Sequence, residues 1–343
     1  MQSQVLLLRK QATPTDDIYF LQPVQELIQS GRIELSVVDN DCSFRSKRNL
    51  VCTHPPGHVV ISRYLPRKGM SLLRELKKNN SRPHISYIFD DDLAAAERTK
   101  ELPWKYKRSL QKVDKNQFQP LLKIADSLVT TSRTLYRDYH SQKTHLLEPG
   151  LWEFPKKNTL DPQNEGQLHI AYFATAMHRS DLEMIAPALQ KLHNSYPWVK
   201  MDMLVSKKPL KSLAAMPRIN FISPMGWPEY KKFLSEQKVH ILLAPKRQTP
   251  FNRSKSFIKV LDAAQCGAVG VYSNVPPYSE VVEHGKNGFL VSNDSLQWYC
   301  TLSWLIENSS RILPLAEAGR SLAYRIGNPE RLKTFWKSHL LGE

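Results

Sequence analysis

Glycine is scarce in this 343-residue chain, with only 13 in all. None of them builds a G-x-G-x-x-G turn after the first apolar run, and no G-x-x-x-x-G-K-[ST] loop occurs. Both motifs need glycine where backbone closes on a phosphate, so dinucleotide oxidoreductases and P-loop ATPases lose most of their case. Cysteine is scarcer still. Cys42, Cys52, Cys266 and Cys300 include no C-x-x-C pair. They are too few for a disulfide framework, which points to a reduced, cytoplasmic protein. Cys52, His54 and His58 sit in a Pro-Gly segment, CTHPPGH, without a second ligand cluster, so they read as a surface loop and no metal site is expected. No apolar run approaches the ~20 residues of a membrane span, and the apolar stretch in MQSQVLLLRKQATPTDD is too short for a secretory signal. Acid is in deficit as well, with 32 Asp and Glu against 48 Lys and Arg, a net charge of +16. That excess suits nucleic acid, an anionic membrane surface or a negatively charged small substrate, and composition does not choose among them.

What is present is an ordinary globular composition, 41% hydrophobic, in a length that suggests two domains. Short apolar runs alternate with amphipathic stretches, the pattern of a parallel sheet covered by helices. The strand candidates of the first half are QVLLLRK, IELSVVD, HVVISRY, HISYIFD, SLVTTS and THLLEP. Among the helices between them, PVQELIQS ends at Gly31 as a C-cap, and SLLRELKKNN begins at Ser71 as an N-cap. Leu151 to Gln167 has two prolines, a glycine and no period, and reads as a linker. A second alternating series runs from LHIAYFA through VKMDMLVS, INFIS, VHILLAP, AVGVYS and GFLV to helical patterns at Ser295–Leu340. The expected fold class is α/β, with two Rossmann-like domains facing across a cleft: 1–150, a linker at 151–167, and 168–343 with the C-terminal helices. Loops at the carboxyl ends of the strands make the cleft the default ligand site.

The densest signal lies at Leu242–Val291. A strand runs into a polar loop carrying Lys246, Arg247, Arg253 and Lys255, and Ser256 is placed to N-cap the helix FIKVLDAAQC, which Gly267 ends. Free backbone N–H groups at that helix start, its positive dipole end and the flanking cations suit a diphosphate. Asp262 shares a general side with Lys255 and Lys259, where a carboxylate is able to accept hydrogen bonds from ribose hydroxyls. The pattern equally describes a capped surface helix with solvated charges.

This segment resembles the C-terminal half of GT-B glycosyltransferases, in particular the retaining nucleotide-sugar family with a paired-acid signature. That family shows an acid, seven residues, and a second acid opening an E-A-x-A-x-G stretch, followed by a strand, a polar loop and G-x-x-G-x-L-V. Here stand DAAQCG at Asp262–Gly267, AVGVYS, and SEVVEHGKNGFLV with Glu280, Gly285 and Gly288. The resemblance covers about Pro245 to Val291. It implies a UDP- or GDP-linked sugar donor, no required cofactor, and Asp262 as the ribose-holding acid. The first acid falls on Ser254. FNRSKSFIK is also similar to surface-polysaccharide transferases, in which Arg253 and Lys255 would neutralise the diphosphate. By the same resemblance, Thr175, His178 and Arg179 in YFATAMHRSDLE occupy the donor-facing loop, and Asp181 is placed to cap the next helix.

In the first half, Asp90, Asp91 and Asp92 end a strand candidate. Three adjacent carboxylates repel one another, and such a cluster hints at a site. A D-D-D-L cluster of this kind resembles the acceptor domain of the same transferases. These acids, with His178, are the catalytic candidates, one of them orienting or deprotonating an acceptor hydroxyl. Loop carboxylates answering the chain's many cations are the plainer reading. From Arg98 to Lys115 there are seven Lys and Arg and two acids. Lys105, Arg108, Lys112 and Lys115, spaced three, four and three, align on one helical face beside Trp104 and Tyr106. Leu110, Val113, Leu121 and Ile124 form a face to bury. The stripe suits an anionic membrane surface and equally an ordinary solvated helix face, and no zinc module, RNP pattern or basic zipper supports nucleic acid.

The expectation is a cytoplasmic glycosyltransferase, peripheral to the inner membrane, retaining rather than inverting, that builds a bacterial surface polysaccharide or lipopolysaccharide. Its partners are a nucleotide sugar and a glycan or lipid-linked acceptor. A non-catalytic glycosyltransferase-like binding protein and a basic nucleic-acid-binding protein stay open beside it.

Overall fold

The computed structural model describes residues 2–78, 82–100, 102–155, 166–205 and 209–343. Most of the expected linker, residues 156–165, lies outside the described residues. The chain divides into two compact units, each built on one sheet.

In the first unit, β1 (Ser3–Arg9), β2 (Ile33–Val38), β3 (His58–Ser62), β4 (His84–Phe89), β5 (Ser127–Thr130) and β6 (Thr144–Leu146) form a six-stranded sheet of order β2-β1-β3-β4-β5-β6. Every pairing is parallel. Continuous apolar runs such as Val5–Leu8 and Val59–Ile61 are buried, as a sheet covered on both faces requires. Gly31 adopts φ +68° just past the helix Gln22–Gln29, the left-handed ending that glycine takes at least cost. The helix between β3 and β4 starts at Gly69, two residues before the expected cap Ser71.

The second unit holds β7 (Leu168–Phe173), β8 (Val199–Leu204), β9 (Ile219–Ile222), β10 (Ile241–Ala244), β11 (Val269–Ser273) and β12 (Phe289–Val291), in the order β12-β11-β10-β7-β8-β9. This is the dinucleotide-type doubly wound order, whereas the first unit follows the flavodoxin-type order extended by one strand. The order of neighbours therefore reverses between β1 and β3 in one unit and between β7 and β10 in the other. Loops leaving the carboxyl ends of those strands splay apart and open a crevice.

Two segments depart from the sequence boundaries. The last helix, Glu330–Leu341, groups with the first unit rather than with 168–343. Trp336 explains it: the side chain is fully buried, its indole Nε1 donates to Tyr19 O at 2.6 Å, and it meets Phe20 edge-on at 4.8 Å. Burial of this indole, with Leu332 and Leu340 on the same helix also buried, anchors the helix to the first unit. Ser254–Ser256 also group with the first unit, through contacts described below. No described helix is long and apolar enough to cross a membrane.

Candidate functional site

At the reversal point of the first unit, β1, β3 and β4 each deliver side chains to one cluster. Arg63 follows β3 at φ +53°, a left-handed conformation that costs an arginine about 1–2 kcal/mol. Its backbone is held there: Arg63 N donates to Ile88 O at 2.9 Å, and Tyr87 Oη donates to Arg63 O at 3.0 Å. The guanidinium then faces the end of β4, with Nε 2.8 Å from Asp90 Oδ1 and Nη2 2.7 Å from Asp91 Oδ2. Strain at one residue thus delivers a fixed cation to two carboxylates.

The three acids, indistinguishable in sequence, have three different surroundings. Asp90 accepts a hydrogen bond from Thr15 Oγ1, in the short helix Pro14–Asp16 after β1, at 2.6 Å, and remains about a quarter exposed. Burial raises its pKa above the usual carboxylate value, with Asp91 adding to the rise against Arg63 and Lys255. Asp91 is buried between Arg63 and the Lys255 ammonium, which contacts its Oδ1. Burial alone would raise its pKa, but Lys255 and Arg63 outweigh it and hold the carboxyl at about 2. Asp92 is the N-cap of the helix Leu93–Arg98: Oδ1 accepts from Ala95 N at 3.0 Å and from Tyr139 Oη at 2.8 Å. Both bonds fall on Oδ1, so this carboxylate caps the helix and receives the Tyr139 phenol.

Lys255 comes to Asp91 on a pinned segment. Ser254 Oγ accepts from Asp92 N at 3.3 Å, and Ser132 Oγ donates to Ser254 O at 2.6 Å. Ser254, where the paired-acid signature has its first acid, is therefore a buried structural link of the first unit. Ser256 does not cap the following helix. That helix spans Ile258–Gln265, its N-cap is Phe257 without a side-chain bond, and the Ser256 hydroxyl is hydrogen-bonded to Tyr19 instead. Around the cluster, burial raises the phenols of Tyr64 and Tyr106 with Asp91 adding to the rise, Tyr106 to about 12. Both phenols stay neutral donors.

At the reversal point of the second unit, β7 runs into the 3-10 turn Ala176–His178 and the helix Arg179–Ser195. His178 Nδ1 lies 2.8 Å from Asp181 Oδ2. Asp181 Oδ1 accepts from Arg247 N at 2.8 Å and Asn252 Nδ2 at 3.3 Å, both in the segment after β10. Asp181 is therefore no helix cap. It is a buried clamp that ties together the loops of β7 and β10 and orients His178. Thr175 is exposed and bonds no side chain as N-cap of the 3-10 turn, Arg179 Nη2 donates to Pro209 O at 2.8 Å, and Arg253 is exposed at the end of the turn Pro250–Arg253. Lys246, two residues after β10, is buried, its Nζ 5.3 Å from the centroid of the Tyr278 ring.

Asp262 is buried on the helix Ile258–Gln265. Its Oδ2 accepts from Lys259 Nζ at 2.6 Å and from Tyr230 Oη at 2.9 Å, while its Oδ1 is buried with no hydrogen-bond partner. A buried carboxylate oxygen left unbonded costs free energy that a hydroxyl donor would recover. Gly267 ends the helix at φ +68°, and Gly285 and Gly288, at φ +75° and +156°, turn the chain into β12. Among the described residues no group of three or more His, Cys, Asp or Glu side chains is arranged to hold a metal ion.

The sequence analysis missed Arg63, Thr15 and Tyr230 as members of these clusters. Only Arg63 had a local signal, a charged residue straight after an apolar strand. The others come from remote loops and helices.

No family model and no curated protein matches the sequence. Solved structures do. HepE of Anabaena, in complex with UDP and glucose, is similar over 100% of both chains at 12% identity, with a TM-score of 0.67. Sucrose-phosphate synthase from Thermosynechococcus elongatus matches 99% of this chain and 98% of its own, at 12% identity and a TM-score of 0.72. A glycosyltransferase from Rickettsia africae covers 100% of each chain at 13% identity, with a TM-score of 0.63. With two six-stranded parallel sheets and likeness of this kind along its whole length, the chain has the GT-B fold of these glycosyltransferases.

Proposed function

We propose that the protein is a glycosyltransferase that moves a sugar from a UDP- or GDP-linked donor to a surface glycan or lipid-linked acceptor. The observation that carries this reading is Asp262, a buried carboxylate fixed by Lys259 and Tyr230 with one oxygen unbonded. A ribose hydroxyl is the donor that oxygen lacks. HepE was solved in complex with UDP-glucose, and its similarity to the full chain supports a donor of that class. In this reading the second unit takes the donor. His178, oriented by Asp181, stands with Thr175 and Arg179 at the end of β7, and Arg253 meets the diphosphate. Charge that develops on the leaving diphosphate is the main electrostatic demand of the reaction.

The first unit takes the acceptor. Asp90, with its raised pKa and partial exposure, is the group that accepts the proton of the acceptor hydroxyl. That oxygen bonds to the anomeric carbon as the bond from carbon to the diphosphate oxygen breaks, its electron pair leaving with the nucleoside diphosphate. Asp91, ionised between Arg63 and Lys255, holds the cluster in shape and orients Lys255. The resemblance noted in the sequence implies retention of configuration, which requires the acceptor oxygen to arrive on the same face of the anomeric carbon that the diphosphate leaves. Lys105, Arg108 and Lys112 lie exposed on the helix Trp104–Val113, and Lys115 in the following turn, where they suit an anionic membrane surface. An acceptor carried on the cytoplasmic leaflet fits that placement.

The test is a thermal-shift series with UDP, GDP and other nucleotides, followed by transfer from radiolabelled donors, with product configuration read from the anomeric coupling. Stabilisation by one nucleoside diphosphate, lost in Asp262→Asn, is the expected result. Absence of any nucleotide response, together with salt-sensitive binding to duplex DNA or RNA, would sink the reading. Nucleotide binding without hydrolysis or transfer would leave a donor-binding protein that is no enzyme.

A further inference from the structure

Away from the acid cluster, the first unit has a groove of about 420 Å³ between the helix Gly69–Lys78 and the helical stretch Trp104–Ile124. Arg74, Lys77, Lys115 and Lys123 line it, and no acidic side chain does so among the described residues. The nearest acids in sequence are engaged elsewhere: Glu75 accepts from Arg48 at 2.7 Å, and Asp114 from Gln119 at 3.1 Å. Lys77 is held in place by donating to Ile124 O at 3.1 Å. Beside the cations the lining has the partly exposed apolar side chains Met70, Pro120 and Ile124.

The cations meet there for a reason the sequence spacing hides. The stretch begins as the helix Trp104–Val113, but Asp114–Phe118 forms a wider π-type turn before the helix Gln119–Ile124 resumes. Lys115 sits inside that turn. It joins Arg74, Lys77 and Lys123 around the groove rather than only extending the row of Lys105, Arg108 and Lys112.

We propose that this groove is a binding site for the phosphate headgroup of an anionic lipid, with the adjoining acyl carbons over Met70, Pro120 and Ile124. Four cations without a counter-charge call for an anion, and an apolar lining calls for a ligand with hydrocarbon attached to it. Lys105, Arg108 and Lys112 add charge on the same stretch, and Trp104, 66% exposed at its start, is the kind of side chain that seats in a membrane interface. This inference rests on the membrane-surface part of the function proposed above and is independent of the donor chemistry.

Flotation of the full chain with vesicles tests it. Phosphatidylcholine vesicles with and without phosphatidylglycerol are compared, using the wild type, a groove variant (Arg74→Gln, Lys115→Gln, Lys123→Gln) and a stripe variant that removes equal charge (Lys105→Gln, Arg108→Gln, Lys112→Gln). A surface cation contributes on the order of fivefold to partition onto an anionic leaflet. We expect wild-type binding only with phosphatidylglycerol, and a loss in the groove variant at least tenfold larger than in the stripe variant, all three melting within about 2 °C. Equal losses would overturn the groove site and leave diffuse membrane attraction standing. Absence of wild-type binding to anionic vesicles would remove both. Stabilisation by glycerol phosphate or inorganic phosphate that the groove variant loses, without vesicle binding, would replace the lipid by a soluble phosphate and overturn the proposal. A groove variant that melts lower is replaced by Lys123→Gln alone, read against Lys112→Gln.

Discussion

Asp91 and Asp262 are both buried carboxylates bonded to a lysine, one in each unit, yet they differ in what is left over. Asp91 has a cation on each oxygen, Lys255 on Oδ1 and Arg63 on Oδ2. Asp262 has a lysine and a phenol on a single oxygen and nothing on the other. The first arrangement satisfies a charge and holds loops together. The second leaves one buried carboxylate oxygen without a hydrogen-bond donor. A completed buried ion pair is evidence about architecture, whereas an incomplete one is evidence about a ligand.

The largest effect expected from breaking this comparison is on Asp91. Asp91→Asn leaves Lys255 without its carboxylate and Arg63 with Asp90 alone, and should lower unfolding free energy by about 3 kcal/mol, measured by urea denaturation. Asp262→Asn, which keeps the shape, should cost about 1 kcal/mol of stability but at least tenfold in nucleoside-diphosphate affinity by calorimetry. If the two substitutions exchanged these outcomes, the assignment of roles would be reversed. Asp90→Asn should lower transfer about 100-fold or more at unchanged nucleotide affinity, the size of a lost general base. An intact rate would leave Asp90 as a mere partner of Arg63.

The units also differ in their response to acid. In the first, His58, His84, His145 and His339 gather around the last helix, with His84 and His339 centroids 4.9 Å apart. Burial and the neighbouring imidazoles lower the pKa of His58, His145 and His339, the last to about 4. A histidine with a lowered folded pKa binds its proton more readily when unfolded. Its contribution is complete above pH ~6.5 and is lost as pH falls from there towards 4. In the second unit, burial opposes the charged form of His169, but Asp202 at 2.8 Å prevails and raises its pKa. That contribution is present at low pH and disappears as pH rises. Between pH 7 and pH 5 the first unit should therefore lose stability through this histidine cluster, His339 above all. Hydrogen exchange should show protection falling around Trp336 before it falls in β7–β9. His339→Phe should flatten that slope, and equal loss in both units would contradict it.

Much of this was legible in the residues. Runs such as Leu168–Phe173 and Ile241–Ala244 are strands because continuous apolar stretches between turn signals fit a doubly covered sheet. Gly31 and Gly267 ended their helices where the sequence placed them. Ser256 did not become a cap, because the hydroxyl found Tyr19, more than 200 residues away in sequence. Asp181 likewise bonds the backbone of Arg247 instead of its own helix.

The sequence by itself determined the two α/β series, the likeness to nucleotide-sugar transferases around Asp262, and the surplus of cations. These are local or compositional properties, carried by period, spacing and count. Only the tertiary structure decided that Asp90, Asp91 and Asp92 have three separate environments, that Asp181 clamps two loops, and that Lys115 turns towards Arg74 and Lys123. Each of these depends on a partner from a remote segment, and chain order does not encode the distance between strands whose neighbours are set by sheet topology.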